Sequence, residues 1–206
     1  MKDQCFWARS TISTNGLAPP VSLDEFLELE RNAPDDVYLE LIRGEIREKT
    51  RVTTGSPKHA EAIPRISCAL LNWLNDQPHF IGTVAGGEAR CRLNLDAETI
   101  VGLDVACFHG EHHVTRPNDQ AYFDGPPVLA VEVLSATDTF EAISDRIRLF
   151  LSAGVKQVWI ADPDFQTVTV YRSDNEPVLY ARSEILPGDP ELPEFHCNVS
   201  QLFGRA

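Results

Sequence analysis

Hydrophobic and polar positions along the chain fall into short blocks whose period changes several times. Leu23, Phe26 and Leu27 stand three and four apart, behind the segment Ser22-Leu-Asp-Glu25. That segment is a capping box, in which the serine hydroxyl and the glutamate carboxylate satisfy free amides of a first helical turn. Pro34 ends the helix. Residues 37–42 are apolar or alternating around Glu40, and Arg43-Gly44 offers a tight turn into residues 45–49, which predicts a hairpin. Ile63, Ile66, Leu70, Leu71 and Leu74 predict a longer helix over 58–75, with Pro64 marking a later start or a kink. Residues 83–108 read as strands separated by a turn at 94–99. Residues 128–134 form a continuous apolar run broken only by Glu132, the pattern of a central strand buried on both faces. Thr137 or Asp138 caps a further helix with Ile143, Ile147, Phe150 and Leu151 on its apolar side, and Gly154 closes it. Residues 158–160 and 167–171 are β-rich around the turn Asp162-Pro-Asp164. The whole predicts one α/β domain over 21–206, a mixed sheet with helices packed on it. Residues 1–20 lack any period, end in Pro19-Pro20, and read as a flexible arm.

Composition narrows the class. With 206 residues, 43% of them hydrophobic and 24% charged, the chain suits one soluble globular domain and excludes collagen-like, coiled-coil and disordered classes. Its longest apolar stretches, such as Val128–Val131, fall far short of the roughly 20 residues that span a bilayer. No secretory leader is expected at the start. The five cysteines are scattered without a C-x-x-C pair, which argues against a zinc ribbon or a disulfide framework and for a reduced, cytoplasmic setting.

Charge changes the picture again. The net charge of −13 repels polyanions at long range, so a protein that coats nucleic acid is excluded. Screening over about 10 Å still allows contact through a local patch. One such patch is present: Arg43, Arg47, Lys49, Arg51, Lys58 and Arg65 outnumber Glu45, Glu48 and Glu61. The tail is the opposite, with Glu184, Asp189, Glu191 and Glu194 close together.

Three acids break their own local patterns. Glu40 lies in Val-Tyr-Leu-Glu-Leu-Ile, Asp104 in Ile-Val-Gly-Leu-Asp-Val-Ala, and Glu132 in Val-Leu-Ala-Val-Glu-Val-Leu. Burying an ionised carboxylate without a partner costs several kcal/mol. Each alone could face water at a strand end or pair with an arginine. Three on adjacent strands would meet at one point and require a cation there, and hard oxygen ligands suit Mg²⁺ or Mn²⁺.

Six segments in order carry a family resemblance: Tyr38-Leu-Glu-Leu-Ile-Arg-Gly-Glu45, His59 with Ile63, Leu103-Asp104-Val105-Ala106, Val131-Glu-Val-Leu-Ser135, the run from Phe150 to Asp162-Pro163, and Leu192-Pro-Glu-Phe through Leu202-Phe203. On these the chain resembles the Uma-type restriction endonuclease family, a branch of the PD-(D/E)XK nuclease superfamily, over about residues 21–203. The resemblance implies a restriction-endonuclease-like fold, a central mixed sheet flanked by helices. It also implies a metal-dependent endonuclease hydrolysing DNA phosphodiester bonds, with Mg²⁺ or Mn²⁺ held by Asp104, Glu132 and Glu40. Leu103 replaces the family's usual proline, and Leu134 stands at the lysine of the plain motif. In this family the lysine is displaced to the following helix, where Phe150 and Gly154 set the register and the residue here is Arg146. Arginine can bind phosphate but cannot accept a proton, because its pKa stays above about 12. The alternative is therefore a nuclease-like domain that binds nucleic acid or a protein without cutting. Arg146 could also simply pair with Asp145 or Glu141 at the surface. DNA is expected to meet Arg43, Arg47, Lys49, Arg51 and Lys58, and a homodimer would allow both strands to be cut.

Other signals carry less. His109-x-x-His112-His113 reads as a solvated loop rather than a transition-metal site. Trp159 and Ile160 read as core and Trp73 as helix packing. Neither a glycine-rich phosphate loop nor a nucleophile elbow is present.

Overall fold

The structure, a computed structural model, describes residues 19–34, 37–49, 56–114 and 121–204. The expected arm, apart from Pro19 and Pro20, and Arg51 lie outside the described residues. The capping box forms as its spacing requires: Ser22 Oγ accepts from the Glu25 amide, the Ser22 amide donates back to Glu25 Oε2 at 2.9 Å, and α1 runs over Leu23–Arg31. The hairpin follows as β1 (Tyr38–Ile42) and β2 (Glu45–Lys49). Arg43 and Gly44 both adopt positive φ, at 53° and 79°, the geometry a two-residue turn needs to match strand twist.

Helix α2 (Pro57–Asn75) continues through Pro64, neither starting after it nor ending at it. Ala62, Ile66, Leu70 and Trp73 form its buried face, whereas Leu71 is exposed. Strands β3 (Gly82–Arg92) and β4 (Ile100–His109) pair antiparallel, with a bulge in β3 between Gly86 and Ala89. The histidine cluster is not a solvated loop. It forms a helical turn, α3 (Glu111–Val114), and His113 is buried beside the stacked rings of Phe108 and Phe123, because that aromatic pair offers its ring an apolar packing surface.

A short strand β5 (Phe123–Asp124) precedes β6 (Leu129–Val133), which is covered on both faces as expected. Helix α4 (Phe140–Ser152) is capped by Thr139, one or two residues later than expected. Asp138 is instead taken by the preceding turn, where its carboxylate accepts from the Ser135 amide and hydroxyl. Strands β7 (Gln157–Asp162), β8 (Thr167–Arg172) and β9 (Asn175–Tyr180) complete the sheet, in the order β2-β1-β4-β6-β7-β8-β9. Strand β3 lies on the remaining edge of β4, and β5 pairs with β3. The β6–β7 and β3–β5 pairs are parallel and the rest antiparallel, a mixed sheet.

Two cores result. On one face α2 packs over Val105, Val131 and Trp159, and on the other α4 packs over Leu103, Ala106 and Ala130. The tail, legible in sequence mainly as acidic, seals the α2 face. It forms β10 (Ile185–Pro187), β11 (His196–Asn198) and a 3₁₀ turn at Val199–Gln201, which bury Leu186, Leu192, Phe195 and Leu202. Among the described residues no helix is long and apolar enough to cross a membrane.

Candidate functional site

Strand β4 has two edges, and β3 occupies one of them along its length. The other is shared end to end: β1 pairs at Ile100, and β6 pairs from Val105 to Cys107. Between those pairings β1 and β6 diverge, and the edge of β4 at Gly102 faces no strand. Unpaired backbone groups must find other partners there, and the predicted acids supply them. Gly102 donates its amide to Glu40 Oε1 at 3.0 Å, and its carbonyl accepts from Arg146 Nη2. The amide of Val133 donates to Asp104 Oδ2 at 2.8 Å. Side chains thus take over the ladder where the strands part.

Arg146 fills the fork. It sits on the sheet-facing side of α4, its ring neighbour being Phe150 at 5.1 Å from the guanidinium carbon. Its Nη1 is 3.0 Å from both Glu40 oxygens, and its Nε lies 3.0 Å from Glu132 Oε1. The surface pairing with Asp145 belongs instead to Arg148. The Arg146, Glu40 and Glu132 side chains are only 17%, 8% and 14% exposed. Burial alone would lower the arginine's pKa, but the charges and hydrogen bonds of Glu132 and Glu40 outweigh it, and it is held well above its ordinary value. This arginine stays charged at every accessible pH.

Asp104 faces a different neighbour. Strand β4 switches faces around it, since Leu103 belongs to the α4 core and Val105 to the α2 core. Its Oδ2 therefore lies toward the first turn of α2, 3.8 Å from His59 Nε2. The hydrogen bond to Asp104 raises the His59 pKa; partial burial opposes this, and the charges of Asp104, Asp138 and Glu88 add to it. Asp104 stands one step beyond the Val105–Val131 pair, level with Glu132 on the neighbouring strand.

Glu88 is not among the acids that the sequence pattern singles out. It occupies the β3 bulge at φ 64°, and a side chain at Gly102 would run into its carboxylate. The signal that points to it is Gly86-Gly87 within a strand pattern, a common mark of a bulge. Four acids, one fixed cation and one titratable histidine thus meet where the hairpin leaves the main sheet.

Residues 23–200 match the family model Uma2, described as "putative restriction endonuclease". The chain belongs to this family. Among solved structures, a crystal structure of a "putative nuclease" from Anabaena variabilis aligns with a TM-score of 0.71 at 24% identity, covering 89% of this chain and 97% of that one. At that identity the likeness establishes the fold. No curated protein matches the sequence.

For a Uma2 member the restriction-endonuclease description implies a divalent ion. The donors fit such an ion in kind, because carboxylate oxygens are hard ligands. They do not form a finished cage. Among the described residues no three acidic, histidine or cysteine side chains are grouped to hold a metal. The three acids expected to close on one cation are thus distributed as follows. The acids share one fork, but the cation between Glu40 and Glu132 is a guanidinium, and Asp104 turns to Val133 and His59.

Two described residues of the basic segment of this Uma2 chain adjoin elements of the fork. Arg47 lies opposite Glu40 in the β1–β2 register and is exposed. Lys58 is exposed and pairs with Asp164 at 2.7 Å.

Proposed function

We propose that this protein is a divalent-metal-dependent endonuclease that hydrolyses DNA phosphodiester bonds at the β1–β4–β6 fork. The observation that carries the reading is the meeting of Glu40, Asp104 and Glu132, from three different strands, at that fork, in a chain of a nuclease family. Asp104 and Glu132 would hold the ion, with Glu40 beside them. When bound, a divalent ion lowers the pKa of an attacking water and stabilises charge on the phosphate.

The chain's own residues do the rest. Arg146 cannot take up a proton, so its part is to hold Glu40 and Glu132 at a fixed separation and to present positive charge to a phosphate. His59, tied to Asp104 with its pKa raised by that hydrogen bond, is the titratable group that can hold a proton at the fork. The reading includes DNA contact along Arg43, Arg47, Lys49, Arg51 and Lys58, a homodimer that serves both strands, and a cytoplasmic setting. A second reading, a domain that binds DNA without cutting, is favoured by one specific observation: a guanidinium bridges two of the acids proposed to hold the metal.

Plasmid nicking with Mg²⁺ or Mn²⁺, with EDTA as blank, separates the two. Metal-dependent nicking that disappears in Glu132→Ala supports the endonuclease. Nicking that survives Glu132→Ala refutes this site. Its absence across several DNA substrates, with retained DNA binding, selects the binding domain.

A further inference from the structure

A cleft of about 390 Å³ is lined by Lys58, Asp164, Phe165, Gln166, Arg182 and Phe203, among others. Its link to the fork is covalent and short. Lys58, in the cleft, and His59, at Asp104, are consecutive residues on the first turn of α2, with Cα atoms about 3.8 Å apart. Strands β6 and β7 also run parallel, so the segment after β7 that carries Phe165 leaves the same end of the sheet as Glu132 approaches.

Phe165 is anomalous. Its side chain is 80% exposed, although burying a phenylalanine ordinarily stabilises a fold by about 1.5–3 kcal/mol. Nor is it a loose loop residue. Asp162 Oδ1 accepts from the amides of Asp164 and Phe165 at 2.9 and 3.0 Å, which fixes the turn and holds the ring out at the cleft. Arg182 is anchored by donating to Gln166, the residue after Phe165. The lining charges nearly cancel, because Lys58 pairs with Asp164 and Glu61 faces the same space as Arg182. A cleft of this kind attracts no polyanion by charge. What it offers is an aromatic face, an apolar floor at Phe203, and both donors and acceptors at the rim.

That combination suits a flat, heteroaromatic ring with hydrogen-bonding edges. Resting on the proposed DNA cleavage at the fork, we propose that the Phe165 cleft takes an unpaired nucleobase of the bound strand, so that the substrate is single-stranded or locally unpaired DNA. In a duplex both faces of each base are stacked and its edge is paired, so no ring is available to Phe165. Stacking on an aromatic side chain contributes about 1–3 kcal/mol per base and tolerates sequence variation.

The test is fluorescence anisotropy of full-length protein with a labelled single-stranded oligonucleotide and its blunt duplex, in EDTA to prevent cutting. Wild type should prefer the single strand. Phe165→Ala should weaken single-strand binding about ten- to a hundredfold and leave duplex binding unchanged. Phe165→Leu keeps apolar bulk without a π face and should lose as much, whereas Phe165→Trp should retain binding. Phe140, equally exposed at 80% but outside the cleft, provides the control, and Phe140→Ala should change nothing. Equal loss in single-strand and duplex binding, retention by Phe165→Leu, or no single-strand binding by wild type would overturn the proposal. Plasmid nicking reports on the fork independently. Nicking abolished by Glu132→Ala with no Phe165 effect refutes the cleft alone, while a Phe165 effect without nicking refutes cleavage alone.

Discussion

Two charge clusters, one at the surface and one at the fork, invert the intuition that the shorter contact matters more. Lys58 and Asp164 approach to 2.7 Å but are 60% and 73% exposed, whereas Arg146 holds Glu40 and Glu132 at 3.0 Å with all three side chains nearly enclosed. In water two unit charges at such range gain only about 1 kcal/mol, much of it returned as side-chain entropy. Inside the fork the dielectric is low, and every charge left without a partner carries its full desolvation cost. Burial, rather than distance, separates a structural charge cluster from a surface contact. It also explains why one arginine can fix the position of two strands that do not pair with each other.

The strongest way to break that contrast is Arg146→Ala. It strands Glu40 and Glu132 without their cation and should cost about 3–5 kcal/mol, read from the urea midpoint. A loss near zero would mean that water reaches the fork and that burial is not what distinguishes the two pairs. Arg146→Lys asks a chemical question at the same place. If a proton acceptor is what the helix position needs, metal-dependent nicking should rise about 10²–10⁴-fold; if positive charge suffices, the rate should stay near wild type while the fold loses some of its hydrogen bonding.

His59 lies between the two regions and gives a pH-dependent version of the comparison. Its pKa is raised in the folded protein, so protonated His59 stabilises the fold. That contribution is complete below the unfolded-state value near 6.5 and is lost as pH rises through the higher folded value. In EDTA, the stability advantage of wild type over His59→Gln should therefore be largest near pH 5.5 and smaller at pH 8.5. An advantage that grows with pH would show that Asp104 does not hold the proton on His59. The smallest effect is expected at the surface: Lys58→Ala should change stability by less than about 1 kcal/mol, and added salt should remove most of that.

Much of this architecture is legible in the chain itself. Capping residues at Ser22 and Glu25, the Arg43-Gly44 turn and the apolar run at 128–134 each specify local geometry through interactions a few residues apart. Glu40, Asp104 and Glu132 stand out because a lone carboxylate in a strand pattern demands a partner, and the family register singles out Arg146. Residues without a period are harder to place. His113 reads as solvated because its aromatic neighbour Phe123 comes ten residues later, and the tail reads as merely acidic because its buried side chains are spaced irregularly. Glu88 is hidden by a bulge, which shifts which side of the strand a residue faces.

Most of the elements, the mixed sheet and three of the four acids follow from the chain alone, since these rest on propensity, periodicity and the cost of burying charge. How the charges are shared depends on the packed fold. That depends on β1 and β6 dividing one edge of β4, on the change of face at Asp104, and on the height at which α4 crosses the sheet. None of these is a property of neighbouring residues in the chain. Each is set by how the two cores pack, and together they place a guanidinium between Glu40 and Glu132 and a histidine beside Asp104.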